Sequence, residues 1–329
     1  MARPDEDGLI ARYFAPLAGP GADGLRDDAA TLTPGAGCDL VLTADAIVAG
    51  VHYFPDDPPD SIARKALGVN VSDLAAKGAT PLGYLVTLAL PDDWTEEWLA
   101  GFAAGLRTGL SAFGGHLLGG DTVRAAGPMV IGVTAIGEVP RGGMVRRMTA
   151  RIGDRLCVSG TIGDAAVGLH LRGSSPPAWA GALGGADRDA LIDRYWHPRP
   201  RIALAPALRR HARAAMDISD GLAGDLAKML KGEGRSAEID LQALPLSGAA
   251  GRALTAAPGV MTTLLTGGDD YEILCAVAPE SLDALLAEAA MAGVPLACIG
   301  TVTAGTEAPS FRDASGQVQR FGAGSFSHF

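Results

Sequence analysis

One aspartate falls inside what reads as the apolar face of a helix, and that placement constrains this chain more than any other feature. Around the stretch Asn70–Gly78, NVSDLAAKG, residues Ile62, Leu67, Val69, Leu74 and Ala75 share one face at helical spacing. Asp73 stands among them with only Lys77 as a nearby opposite charge. A carboxylate in such company is expensive unless something pairs it. The phrase returns about a domain later as DISDGLA, Asp217–Ala223. Two more acidic motifs stand apart, RDDAA at Arg26–Ala30 and LLGGDT at Leu117–Thr122. The expectation is a fold that draws these aspartates onto metal ions, with the metals holding a polyphosphate.

A chain of 329 residues suits two domains. The basic, glycine-bearing stretch Arg141–Gly153, RGGMVRRMTARIG, marks the boundary, which we place between residues 1–145 and 146–329. Hydrophobic content of 48% supplies two cores, and 45 glycines with 5% aromatics favour close-packed α/β layers over an all-β sandwich. The net charge of -10 argues against nucleic acid or an anionic membrane as a partner. An acidic protein handling an anionic substrate needs cations between them. Cys38, Cys157, Cys275 and Cys298 show no metal-ligand spacing and read as reduced thiols of a cytoplasmic protein. MARPDEDG lacks an apolar signal segment, and no apolar run is long enough to span a membrane.

Periodicity predicts helix over Glu6–Leu17, around Asp73 and over Glu96–Phe113, with strands at Asp39–Asp45, Leu82–Leu90, around Leu117 and at Met129–Val139. Gly19–Gly24 matches GxGxxG only formally: no strand precedes it and a proline occupies its second position. In the second half, strands are expected at Asp154–Ser159, Ala214–Ile218, Ala237–Leu241, Ile273–Val277 and Pro295–Val302. Helices are expected at Gly163–Leu171, after His197–Arg201, at Gly221–Leu230 and at Pro279–Met291. Ser174–Asp187 reads as a surface segment, and the tail from Phe311 as a hairpin with an extended end. Ser219 or Asp220 is placed near the N-cap of its helix. Interleaved strands and helices define an α/β (α+β) layer structure.

The acids in motif context are Asp27, Asp28, Asp45, Asp73, Asp121, Asp217, Asp220, Asp269 and Asp270. Several lie at strand ends or loop–helix junctions, where α/β folds place their sites. Gathered without cations they would repel one another. Mg²⁺ answers that need, because it takes hard oxygen ligands and completes its shell with phosphate oxygens. Asp27, Asp92, Asp93 and Asp187 read instead as caps and turns. Gly119 and Gly120 before Asp121 allow a phosphate to approach backbone N–H groups. The phosphate-loop lysine motif and the protein-kinase motifs are absent, so a nucleotide site here needs metals and an arginine, with Arg146 and Arg147 as candidates. His52, in a loop after an acid-bearing strand, is a candidate substrate contact.

Taken in order and spacing, GLRDDAATL, LTADAIVAGVHY, KALGVNVSDLAAKGA, LLGGDT, DISDGLAGDL and TGGDDYEIL resemble the thiamine-monophosphate kinase family, within the aminoimidazole-ribonucleotide synthetase superfamily. The resemblance implies ATP-dependent phosphorylation of thiamine monophosphate to thiamine diphosphate. It implies a homodimer paired through the N-terminal sheets, an N-terminal ATP/Mg-binding and dimerisation domain, and a C-terminal α/β domain completing the active site. It puts Asp28, Thr43, Asp45, Asp73, Asp121, Asp217 and Asp220 at magnesium positions, with Asp73, Asp121 and Asp217 central to catalysis. Gly120, Arg147 and Ser219 fall on ATP contacts, and His52, Asp269 and Phe326 on contacts to the thiamine phosphate. Three departures stand out: Arg26 where the family has Gly, Asp269 where it has Glu, and Phe326 where a Tyr occurs. Rival readings are a sister enzyme of the superfamily, such as selenophosphate synthetase or a hydrogenase-maturation protein, and a non-catalytic nucleotide-binding regulator. The sister enzymes need a reactive Cys near one terminus, and the chain begins its cysteines at Cys38 and ends Ser327-His328-Phe329.

Overall fold

The computed structural model describes residues 5–232 and 234–321. Its contacts divide the chain into two compact units, Met1–Leu74 with Ala79–Gly143, and Ala75–Gly78 with Met144–Phe329.

The first unit opens on α1 (Glu6–Leu9), capped by Asp5, which accepts from Gly8 N at 3.0 Å, and the chain stays helical through π and 3-10 turns to Leu17. Then come β1 (Cys38–Val48), α2 (Pro59–Ala76), β2 (Thr80–Leu90), α3 (Glu96–Phe113), β3 (His116–Arg124) and β4 (Val130–Pro140). The sheet order is β1-β4-β2-β3, with β2 and β3 parallel and the other pairs antiparallel. A parallel pair needs a crossover, and α3 supplies it. Thr95 caps α3 by accepting from Trp98 N at 3.0 Å, and Leu99, Phe102, Ala103 and Leu106 form its buried stripe.

Strand alternation gives this sheet two unlike faces. In β4 the odd residues Ile131, Val133, Ala135 and Val139 are buried, while the even residues from Val130 to Glu138 are half-buried. Register aligns Ala44, Thr134, Leu85 and Gly119 in one row of the even face, and Ala46, Gly132, Thr87 and Asp121 in the next. Leu42 and Leu85 on that face are 63% and 37% exposed. Helix α2 lies on the opposite face, where Leu74 meets the backbone at Gly137.

The second unit contains β5 (Arg155–Ser159), α4 (Asp164–Arg172), α5 (Gly185–Trp196), α6 (Ala205–His211), β6 (Ala212–Asp217), α7 (Leu222–Met229) and β7 (Arg235–Asp240). It continues through α8 (Gly248–Ala256), α9 (Val260–Thr266), β8 (Ile273–Val277), α10 (Leu282–Met291), β9 (Leu296–Ala304), β10 (Ser310–Arg312) and β11 (Val318–Gln319). The sheet order is β11-β10-β7-β9-β5-β8-β6. All residues of β8 are buried, because the sheet has a core on each side. Leu222, Leu226 and Met229 of α7 pack with Leu156, Val158 and Leu274 on one face. Leu208 of α6 and Leu285 of α10 pack with Cys157, Cys275 and Val277 on the other.

Sequence periodicity missed α5, α8 and α9. The surface segment expected through Asp187 gives way to helix at Gly185, and Leu191 and Tyr195 of α5 are buried. Helix α8 buries Ala249, Ala250 and Ala253 against Leu171 and Leu264. Alanine fills a tight helix contact without producing a strong apolar period. All four cysteines are free thiols. Hydrogen bonding with Cys275, reinforced by burial, raises the Cys157 thiol well above its ordinary range, and the side chain is fully buried. Among the described residues no helix is long and apolar enough to cross a membrane.

Candidate active site

In the first unit the motif acids fall into two groups. The first joins β1 to α2. Thr43 Oγ1 donates to Asp73 Oδ2 at 2.6 Å, and Asp45 N donates to Asn70 Oδ1 at 2.9 Å. Asn70 is fully buried and donates through Nδ2 to Ala66 O at 3.0 Å, which fixes its amide. Asp73 therefore escapes the cost of its apolar neighbours by turning one oxygen to a hydroxyl and staying half-exposed. Lys77, its neighbour in sequence, donates instead to Ala215 O at 2.8 Å. His52 lies just beyond β1, where its Nδ1 accepts from Val48 N at 3.0 Å. A neutral His52 ring consequently carries its proton on Nε2.

The second group lines a cavity of about 710 Å³, bounded by Asp27, Asp28, Leu85, Thr87, Gly120 and Asp121 among others. The side chain of Asp27 accepts from Asp28 N at 2.7 Å, the local turn expected of it, and Asp28 is exposed. Gly120 has φ 154°, and a Cβ there would lie 1.8 Å from Val86 O. Only glycine lets β3 run this close to β2 beside the cavity. Arg26 has φ -105°, so the non-glycine residue sits without strain, and the turn is made by Asp23, Gly24 and Leu25, all at positive φ. Asp92 and Asp187, expected as caps and turns, form ion pairs with Arg124 and Arg252.

In the second unit, β6 ends on Asp217, which is 8% exposed. Ser219 and Asp220 lie near the N-terminus of α7 as expected, immediately before its N-cap Gly221, which makes no side-chain capping bond. Asp225, inside α7, reaches back instead. Its Oδ2 accepts from Ser219 N at 3.0 Å and Asp220 N at 2.9 Å, and Oδ1 accepts from Lys228 Nζ at 2.8 Å. Lys228 also pairs with Asp220. Burial holds the Asp225 carboxyl above its ordinary range even with Lys228 beside it.

The DISD loop is hydrogen-bonded to the loop at Thr266–Glu272. Asp269 N donates to Ser219 O, Tyr271 N to Ile218 O, and Ile218 N to Glu272 O, each at 2.8 Å. Asp217, Ser219, Asp220 and Asp269 are thus carried on one pair of adjoining loops. The segment bearing Arg147 runs along β6, where Ala215 N donates to Arg146 O at 3.1 Å, and Arg147 is exposed. Phe326 lies outside the described residues. Among the described residues no three His, Cys, Asp or Glu side chains come together closely enough to hold an ion by themselves. Asp225, Glu272 and the arginines that meet Glu272 escaped the sequence reading; the one available signal was an acid within the otherwise apolar run at Tyr271–Val277.

The family models match this organisation: the N-terminal domain of AIR synthase related proteins matches residues 26–139, and the C-terminal domain matches 151–310. Fold and acid-bearing loops together define a two-domain protein of the AIR synthase related class. A thiamine-monophosphate kinase of Caulobacter vibrioides is 43% identical over 310 residues, 92% of this chain and 86% of that protein. The chain belongs to the thiamine-monophosphate kinase family. The crystal structure of thiamine-monophosphate kinase from Stenotrophomonas maltophilia K279a superposes with a TM-score of 0.80 at 38% identity, covering 90% of this chain and 91% of that one. AaThiL complexed with AMPPCP and TMP superposes with a TM-score of 0.76 at 27% identity, covering 100% and 99%.

Proposed function

We propose that this chain transfers the γ-phosphoryl group of ATP to thiamine monophosphate, giving thiamine diphosphate and ADP. The observation that carries this reading is the 43% identity to a thiamine-monophosphate kinase across 92% of the chain. The solved relative complexed with AMPPCP and TMP supports the same pair of substrates. The acceptor oxygen of a phosphate monoester is already anionic, so the reaction needs no strong general base and no phosphoenzyme. It needs in-line positioning and charge neutralisation.

The residues present fit Mg²⁺. The motif groups offer carboxylate and hydroxyl oxygens, with neither imidazole nor thiolate among them. Mg²⁺ keeps several waters and binds phosphate oxygens, so one or two protein ligands per ion suffice. Asp28, Thr43, Asp45, Asp73 and Asp121 in the first unit, and Asp217 and Asp220 in the second, would hold the ions. Bound Mg²⁺ supplies neutralisation of the polyphosphate. Gly120 would offer backbone beside the cavity for ATP, Ser219 a fixed loop, and Arg147 an exposed guanidinium for phosphate. His52, Asp269 and Phe326 would hold thiamine monophosphate. The even face of the first unit's sheet, with Leu42 63% exposed, supports pairing of two copies through that face. The free thiols suit a cytoplasmic enzyme.

The test is a chromatographic product assay with Mg-ATP and, separately, thiamine monophosphate, thiamine and an aminoimidazole ribonucleotide precursor. Thiamine diphosphate should form from thiamine monophosphate. Turnover of another acceptor in its place, or none at all, would refute the reading.

A further inference from the structure

Loop Gly267–Glu272 is held in a conformation its residues disfavour. Asp269 and Tyr271 have φ of 63° and 49°, left-handed values unusual for residues with side chains. At Gly268, φ 75°, a Cβ would lie 2.5 Å from Ser219 O, so this loop and the DISD loop touch through backbone. Something beneath must enforce this geometry.

That support is a buried polar cluster around Glu272, which has no solvent exposure. Its Oε2 accepts from Ser159 Oγ at 2.6 Å and Arg201 Nε at 2.7 Å. Its Oε1 accepts from Arg194 Nη2 at 2.9 Å and from Arg201 Nη2. Ser159 Oγ accepts from Ile273 N at 2.8 Å, fixing the start of β8. Arg194 Nη2 also reaches Asp270 O at 3.2 Å, and both carboxylate oxygens of Asp270 accept from Gly163 N, at 2.8 and 2.9 Å. The backbone carbonyl of Glu272 in turn receives Ile218 N. One residue therefore ties the frame of β5, α5 and the Arg201 segment to both loops.

We propose that Glu272 is a positioning residue for the reaction: clamped by Arg194, Arg201 and Ser159, it sets the loop of Asp269 and the loop of Ser219 as a single unit. The inference rests on the kinase reading for what the loops contact. A carboxylate is needed because both oxygens face cationic or hydroxyl donors. In Glu272→Gln an amide N–H₂ must face those donors, and the two loops relax together.

Two measurements test this on the full chain. The first is amide exchange by mass spectrometry without substrates. In Glu272→Gln, peptides covering 216–221 and 267–272 should both exchange about tenfold or more faster, while β8 stays protected. The second is steady-state kinetics, where KM for ATP and KM for thiamine monophosphate should rise together by roughly tenfold. If Glu272→Gln does not fold, Ser159→Ala, which removes one clamp, should show the same paired pattern at about threefold. Acceleration of one peptide alone, or accelerated exchange of both with unchanged KM values, would overturn the proposal. A wild-type chain inactive on thiamine monophosphate would refute the kinase reading instead, and the exchange arm would still decide whether Glu272 couples the loops.

Discussion

Replacing Gly120 by alanine should damage both stability and nucleotide binding, while the same change at Gly119 should be mild. Gly120 pairs with Val86 in the parallel ladder at φ 154°. A Cβ there would stand 1.8 Å from Val86 O, 2.6 Å from its carbonyl carbon and 2.9 Å from its nitrogen. Every one of those atoms is backbone, so no side chain can rotate away. The strands must separate or the local backbone must turn. A disfavoured backbone conformation costs about 1–3 kcal/mol, and each ladder hydrogen bond loosened adds about 1 kcal/mol. The expected loss is therefore about 2–4 kcal/mol. At Gly119 an added Cβ meets only Leu85 Cδ2 at 3.4 Å, an ordinary contact, so Gly119→Ala should cost less than about 1 kcal/mol. Urea denaturation followed by tryptophan fluorescence reports the difference, because Trp94 and Trp98 lie in the first unit. Gly120 also lines the cavity with Asp121, so KM for ATP should rise about tenfold or more in Gly120→Ala. Equal stability of the two variants, within about 0.5 kcal/mol, would refute the steric argument.

Asp73→Asn should retain the wild-type melting temperature while turnover falls about a hundredfold, the scale of a lost charge stabiliser; near-normal kcat would remove Asp73 from the catalytic set. Leu42→Asp puts a charge on the exposed sheet face, and light scattering should show a dimer for wild type and a monomer for the variant; identical masses would refute pairing through that face. Hydrogen bonds from Arg210, then His211, lower the Glu288 carboxyl from its ordinary 4.5 to about 2. A depressed carboxyl stabilises the fold above its unfolded value and loses that contribution as pH falls through its folded value. The melting-temperature advantage of wild type over Glu288→Gln should therefore shrink between pH 4.5 and about 2, and an advantage constant across that window would contradict the assignment.

Features encoded by local chemistry were legible along the chain. Glu96–Phe113 could be read to the residue because its apolar stripe and its Thr95 cap are local signals. Ile273–Val277 was readable because a short, wholly apolar run suits a strand covered on both faces. The acid motifs and their order were enough to place the chain in its family. How the acids are partnered depends on the packing of distant segments. Asp73 turns to Thr43, thirty residues away in sequence, and Asp225, inside α7, reaches back to the backbone N–H groups of Ser219 and Asp220. Glu272 meets Arg194, Arg201 and Ser159 from distant segments. The spacing along the chain carries no trace of such pairs, because a buried charge is satisfied by whichever donors the packed elements bring within reach.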